Sequence, residues 1–140
     1  MMQDNFYKVE YRLELENGSV VSHTIEIDRK TLISRAAVTD SLPEWTKLEH
    51  EKCAQCTLKD SEYCPIAVRL VTPVERFSEL VSCNRVTTTV VTPERTYVKS
   101  GDVQDALRSM FGLIMATSGC PSMQPFKYMA RYHLPFASLE

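Results

Sequence analysis

The chain has 140 residues, of which 44% are hydrophobic and 24% charged, as in an ordinary soluble globular domain. Its net charge is −2 and its Lys and Arg residues form no run, which argues against nucleic-acid binding because that requires a basic face. No stretch reaches the roughly 18 consecutive apolar residues of a membrane span, and the N-terminus lacks a signal-peptide pattern. We therefore expect a single domain, residues 1–140, in the cytoplasm, with no nucleic-acid or membrane partner.

The first predicted element is a β-hairpin. Apolar and charged residues alternate strictly from Phe6 to Leu15, which predicts a half-buried strand, and a second strand is predicted from Val20 to Ile27. A three-residue loop at 16–18 would pair Leu13 with Val21 and place the apolar residues of both strands on one face. A two-residue turn would instead place the apolar residues of the second strand on the charged face of the first. We therefore expect the longer loop, with its glycine at positive φ.

The later elements complete an α+β fold. Thr72 and Pro73 have the sequence pattern of a helix start. The β-branched segment Arg85–Thr92 and the segment Thr96–Lys99 predict a second hairpin, and Asp102 is expected to cap a last long helix. The sequence thus predicts an antiparallel sheet of about four strands in two hairpins, covered by helices on one face.

Three of the five cysteines lie in one short segment, CAQCTLKDSEYCP, at positions Cys53, Cys56 and Cys64. The C-x2-C spacing lets two thiolates bind one metal ion, and the polar residues that follow let the third loop back. A tetrahedral site requires a fourth ligand. We expect Cys120, because it follows the predicted end of a helix, with His50 as the alternative. Zinc and an iron–sulfur cluster both accept four thiolates.

These residues predict a small metal-binding protein with a structural, sensory or partner-binding role. Zinc is the expected cofactor, and an iron–sulfur cluster is the alternative. The protein is expected to act with a protein partner or as a homodimer. The alternative function is thiol–disulfide exchange by Cys53, Cys56 and Cys64. No complete motif of a known enzyme is present, so the sequence does not decide whether the protein is an enzyme.

Two further features have alternative interpretations. The segment PFKYMARYHLPF near the C-terminus is either a surface that binds an anionic or planar ligand or a protein, or a terminal helix that packs on the core. The packing interpretation is favoured. His23 falls in phase with the apolar face, opposite Tyr11, and we interpret it as a partly buried histidine rather than a ligand or a base.

Overall fold

A computed structural model describes residues 5–36, 41–50, 52–81, 83–133 and 135–136, with the backbone alone at 129, 131 and 132. The strands are β1 (Phe6–Leu15), β2 (Val20–Asp28), β3 (Arg85–Val91) and β4 (Thr96–Asp102), and the helices are α1 (Pro65–Phe77) and α2 (Val103–Ala116). Two 3-10 helices span Glu44–Thr46 and Pro121–Tyr132; we call the latter the C-terminal 3-10 helix. The four strands form one antiparallel sheet in the order β2-β1-β3-β4, which confirms the predicted α+β fold.

The first hairpin has the predicted register. Leu13 pairs with Val21, as the three-residue loop requires, and Gly18 has the expected positive φ of 87°. On the outer face, Lys8 lies 3.8 Å from Glu26 in an exposed ion pair. Register is determined here by the apolar pattern, because a shift by one residue would expose the whole apolar face of β1.

The core lies between one face of the sheet and the two helices. Alternate residues of the central strand β1 are almost fully buried, whereas the intervening residues are charged and face outward. The buried cluster comprises residues from the sheet and from both helices, among them Val9, Tyr11, Leu13, Ile25, Val90, Phe77, Ala106, Met110 and Ile114. Tyr11 is one of these buried residues, and its side chain carries a hydroxyl group into the core.

The start of α1 differs from the prediction. The helix begins at Pro65, not at Pro73, and Cys64 is the residue before it. Proline at the first position costs no hydrogen bond and has a helical φ, so Pro65 serves as the start. Pro73 lies inside the helix, where it removes the bond that its N–H would have donated to the carbonyl of Arg69.

Hydrogen bonds hold two segments of the fold in place, the start of α2 and the chain that follows β2. Asp102 caps α2 as predicted, since its carboxylate accepts the backbone N–H of Asp105 at 2.8 Å. Beside β2, Ser34 forms an isolated bridge with Ile27, supported by a bond from the Arg35 N–H to the carbonyl of Glu26 at 2.9 Å. The chain after β2 therefore turns back and covers part of its free edge.

Candidate ligand-binding cavity

The four cysteines predicted as metal ligands lie in three separate local structures. Cys53 is exposed and Cys56 is half-buried, and the Cys56 N–H donates to the Cys53 carbonyl across a turn at 3.0 Å. Cys64 lies directly before α1, with its N–H bonded to the carbonyl of Thr46 at 2.8 Å. Cys120 lies directly before the C-terminal 3-10 helix. One turn thus holds Cys53 and Cys56, whereas two separate helix starts position Cys64 and Cys120.

The predicted metal-binding function is wrong. Among the residues that the structure describes, which include all five cysteines and His50, no three or more Cys, His, Asp or Glu side chains are arranged to hold a metal ion. The C-x2-C segment forms a tight turn. The bond to Thr46, however, fixes Cys64 at the start of α1, and Cys120 begins a different helix.

The alternative, thiol–disulfide exchange, is likewise not supported. All five cysteines are free thiols. A thioredoxin-like site requires its C-x2-C at the N-terminus of a helix. Cys53 and Cys56 instead lie in a turn, and residues 57–60 after them are not helical. The cysteine segment therefore lacks the local structure on which that prediction depended.

A different feature is the strongest candidate for a functional site. A cavity of about 580 Å³ opens between α2, β4 and the C-terminal 3-10 helix; we call it the α2 cavity. Much of its lining is apolar and includes flexible methionines and aromatic rings, which adapt to the shape of a ligand. The apolar residues are Leu113, Met115, Ala116, Met123, Phe126, Ala130 and Phe136. The predicted C-terminal segment thus packs on α2 and also forms one wall of the cavity.

A hydrogen-bonded group of three side chains lies at the inner side of the cavity. The Tyr11 hydroxyl is 2.8 Å from Ser109 Oγ and 2.6 Å from His133 Nε2. Ser109 and His133 line the α2 cavity, whereas Tyr11 is fully buried behind them. The backbone N–H of Phe136 donates to Ser109 Oγ at 3.3 Å. This hydrogen-bonded group therefore joins strand β1, helix α2 and the C-terminal segment.

Burial keeps this group uncharged near neutral pH. It raises the pKa of the Tyr11 phenol above its ordinary value, although the bond with Ser109 acts in the opposite direction. Burial also lowers the pKa of His133 to about 4. Either the Tyr11 hydroxyl donates to a bare His133 Nε2, or a protonated Nε2 donates to the Tyr11 oxygen. The two arrangements correspond to the two tautomers of the neutral ring.

The entrance of the cavity carries more positive than negative charge. Lys99 and Arg108 are exposed cations on its rim, and Asp105 is the one carboxylate among the described lining residues. Neither cation forms an ion pair in the described part of the chain. The Lys99 ammonium lies 5.2 Å from the centre of the Phe136 ring. The apolar wall therefore ends beside two cations for which the described part of the chain provides no ion-pair partner.

Gly112 leaves part of the cavity wall without a side chain. It lies in the interior of α2, and a Cβ built there would meet no other atom within 4 Å. Its φ is not positive, so the backbone conformation does not require glycine. Glycine inside a helix costs roughly 1 kcal/mol relative to alanine. A residue that lowers stability and opens space beside a cavity is typical of a functional site.

No pattern in the sequence marks these residues as a site. The available signal was a row of small and polar residues on α2, namely Asp105, Ser109, Gly112 and Ala116, on one side of a helix whose other side is apolar. The group could not be inferred, because its central residue, Tyr11, is separated along the chain by 98 residues from Ser109 and by 122 from His133.

Comparison with known proteins gives a family and no activity. Residues 9–140 match the model of a family described as a domain of unknown function, DUF6901. No curated protein and no solved structure matches the chain. Among the described residues, no helix has both the length and the apolar character needed to cross a bilayer. Because the family model covers nearly the whole sequence, the chain belongs to the DUF6901 family.

Proposed function

We propose that this protein binds a small amphipathic molecule with an acid group in the α2 cavity. The observation that carries this proposal is the combination of an apolar wall with two cations at the entrance, Lys99 and Arg108, which form no ion pair among the described residues. A cavity of about 580 Å³ lies within the range of small-molecule sites, roughly 300–1,000 Å³. The apolar body of the ligand would displace water from the cavity, which is favourable in proportion to the area buried.

The polar groups determine how the ligand is oriented. An acid group at the entrance would meet the positive charge of Lys99 and Arg108, whereas at the inner side it would face the neutral ring of His133. A charged carboxylate is therefore favoured at the entrance. Ser109 offers a hydroxyl to a polar substituent at the inner end, since its oxygen has two acceptor positions and one proton.

The arrangement favours binding over catalysis by a serine nucleophile. Such a nucleophile requires a base within hydrogen-bond distance. In the described part of the chain, Ser109 and His133 are joined through the Tyr11 hydroxyl and not directly to each other. Tyr11 is fully buried and cannot contact a ligand, so it orients its two neighbours.

Calorimetric titration with decanoic acid tests the proposal. The Gly112→Leu variant should fill the cavity and weaken binding by about tenfold or more, the equivalent of 1.4 kcal/mol. Gln104→Leu is the matched control, because residue 104 is also exposed on α2 and does not line the cavity. Absence of binding to the unmodified protein, or equal affinity in the two variants, would refute the proposal.

The acid group is tested separately with 1-decanol. Replacing both Lys99 and Arg108 by Gln should weaken decanoic acid binding by about three- to tenfold, as expected for solvent-exposed charge pairs. Binding of 1-decanol should remain unchanged. If the acid and the alcohol bind equally well to the unmodified protein, the ligand is apolar and the role of the two cations is wrong.

A further inference from the structure

The two outer strands of the sheet differ in how their free edges are protected. In the described sheet, β2 and β4 each pair with one other strand, so alternate residues of both point N–H and C=O groups away from the sheet. On β2 such groups have partners. The carbonyl of Ser22 accepts from Arg76 Nη1 at 3.1 Å, and that of Glu26 accepts the Arg35 N–H at 2.9 Å. The rest of the chain therefore closes part of the β2 edge.

Two hydrogen bonds that flank the β3–β4 ladder show which residues of β4 face outward. At the turn, the Thr92 N–H donates to the Arg95 carbonyl at 2.8 Å, and beyond the other end the Val103 N–H donates to the Asn84 carbonyl at 3.0 Å. Both pairs continue the register of the ladder, in which hydrogen-bonded pairs alternate with non-hydrogen-bonded ones. The odd-numbered residues of β4 therefore bond to β3. The even-numbered residues that precede the helix cap, and that face the free edge, are Thr96, Val98 and Ser100.

The outward backbone groups of β4 have no partner in the described part of the chain. No hydrogen bond among the described residues reaches those of Thr96, Val98 or Ser100, and all three residues are exposed. The side chain of Val98 is 65% exposed. Bulges and prolines commonly protect edge strands, yet the β3–β4 register has no bulge and β4 contains no proline. The β4 edge is thus open to another extended strand.

We propose that β4 pairs antiparallel with β4 of a second copy of this chain, which joins the two sheets across a two-fold axis. Strand addition at an edge supplies hydrogen bonds to backbone groups that lack them. A two-fold interface must be complementary to itself. The outward residues of β4 meet this requirement, because their side chains are uncharged and include an exposed valine. This pairing is independent of the α2 cavity and of the function proposed for it.

The charge of Lys99 selects the register of the two copies. An axis at Lys99 would place this residue opposite its own copy, and like charges directly opposite each other destabilise a sheet. An axis at Val98 pairs Thr96 with Ser100 of the second copy and places Tyr97 opposite Lys99. The two Val98 side chains then cover each other, which removes apolar surface from water. We therefore place the axis at Val98, with residues 96–100 overlapping.

Sedimentation equilibrium of the full chain, from about 10 μM to about 0.5 mM, tests the proposal, since so short an overlap should give a weak dimer. Val98→Lys should weaken association by about tenfold or more, because it places like charges opposite each other at the axis. Val20→Lys is the matched control. Val20 is 53% exposed and lies on the same outer face of the sheet, but at the β2 edge. A chain that stays monomeric at the highest concentration, or equal losses in the two variants, would overturn the proposal.

Amide hydrogen exchange, followed by nuclear magnetic resonance, locates the interface. The even-numbered amides from Thr96 to Ser100 should exchange more slowly as the protein concentration rises, because they become bonded to the second copy. The odd-numbered amides of β4 already bond to β3 and should be protected at every concentration. A dimer in which the three outward amides exchange at unchanged rates would use another surface, and the assignment to the β4 edge would then be wrong.

Discussion

The hydroxyl of Tyr11 lies 2.6 Å from Nε2 of His133, although 122 positions separate the two residues in the sequence. This contact joins the central strand of the sheet to the C-terminal segment. Because Tyr11 is fully buried and also bonds with Ser109, its hydroxyl satisfies two polar groups that line the α2 cavity. Tyr11 therefore orients two side chains of the cavity wall, although it is buried too deeply to contact a ligand itself.

Tyr11→Phe should destabilise the protein by roughly 1–3 kcal/mol, since it leaves Ser109 and His133 without their shared partner. Urea unfolding measures the change. Tyr128→Phe is the control, because Tyr128 is 63% exposed, and it should change stability by less than about 0.5 kcal/mol. Equal effects of the two substitutions would show that the buried hydroxyl contributes nothing to stability.

Stability should decrease on acidification between pH 6.5 and 4. Burial lowers the pKa of His133 to about 4, and burial with the charge of Arg76 does the same for His23, from an ordinary value of 6.5. In this window the folded protein binds fewer protons than the unfolded chain, so the free energy of unfolding falls as the pH falls. Each histidine should contribute roughly 1–3 kcal/mol.

Urea unfolding at a series of pH values measures this dependence. His133→Gln and His23→Gln should each reduce the slope of stability against pH, whatever they do to absolute stability. His50→Gln provides the control because His50 is exposed, and its slope should match that of the unmodified protein. Unchanged slopes in both test variants would contradict the assignment of the buried neutral histidines.

Gly112→Ala and Gly18→Ala should change stability in opposite directions. At Gly112 the new Cβ meets open space, and the helix should gain roughly 0.5–1 kcal/mol. At Gly18 the φ of 87° is unfavourable for alanine, and the hairpin should lose roughly 1 kcal/mol. Thermal unfolding measures both. A loss at Gly112 would mean that the helix requires glycine there for packing.

Substitution of the cysteines tests the correction to the predicted metal site. Cys56→Ser and Cys120→Ser should each change the free energy of unfolding by less than about 1 kcal/mol, because neither thiol is fully buried. A chelator should leave the unfolding temperature of the unmodified protein unchanged. A fall of several degrees with the chelator, absent in Cys56→Ser, would restore a metal-binding role to the segment.

Local patterns predicted the strands well and the sites poorly. The alternation of apolar and charged residues predicts the pairing of Leu13 with Val21, because one face of β1 is buried. The chemistry of a helix start predicts that Asp102 caps α2. The sequence favours Pro73 as the start of α1, because Thr72 and Pro73 match a start signal with a capping side chain, yet the helix begins at Pro65 after Cys64, whose side chain makes no capping bond. Sequence alone could not choose between two prolines that are both compatible with a helix start.

The sites depend on contacts between distant segments. The cysteine spacing indicated proximity along the chain, but the bond between Cys64 and Thr46 positions that cysteine at a helix start. On α1, the orientation of Arg69 likewise depends on Ser34, which is 35 residues away. No short-range pattern contains such a pair. One local feature of the α2 cavity is visible in the sequence. Gly112 lies inside a helix, where the backbone conformation does not require glycine.

The position of β1 at the centre of the sheet also affects how the chain folds during synthesis. β1 can pair with β2 as soon as the first hairpin emerges, but its other neighbour, β3, begins only at Arg85. Tyr7 donates to the carbonyl of Ala130 at 3.0 Å, so that contact must form later still. Closing such long loops slows folding. On the ribosome, β1 therefore emerges long before its inner face can be fully enclosed.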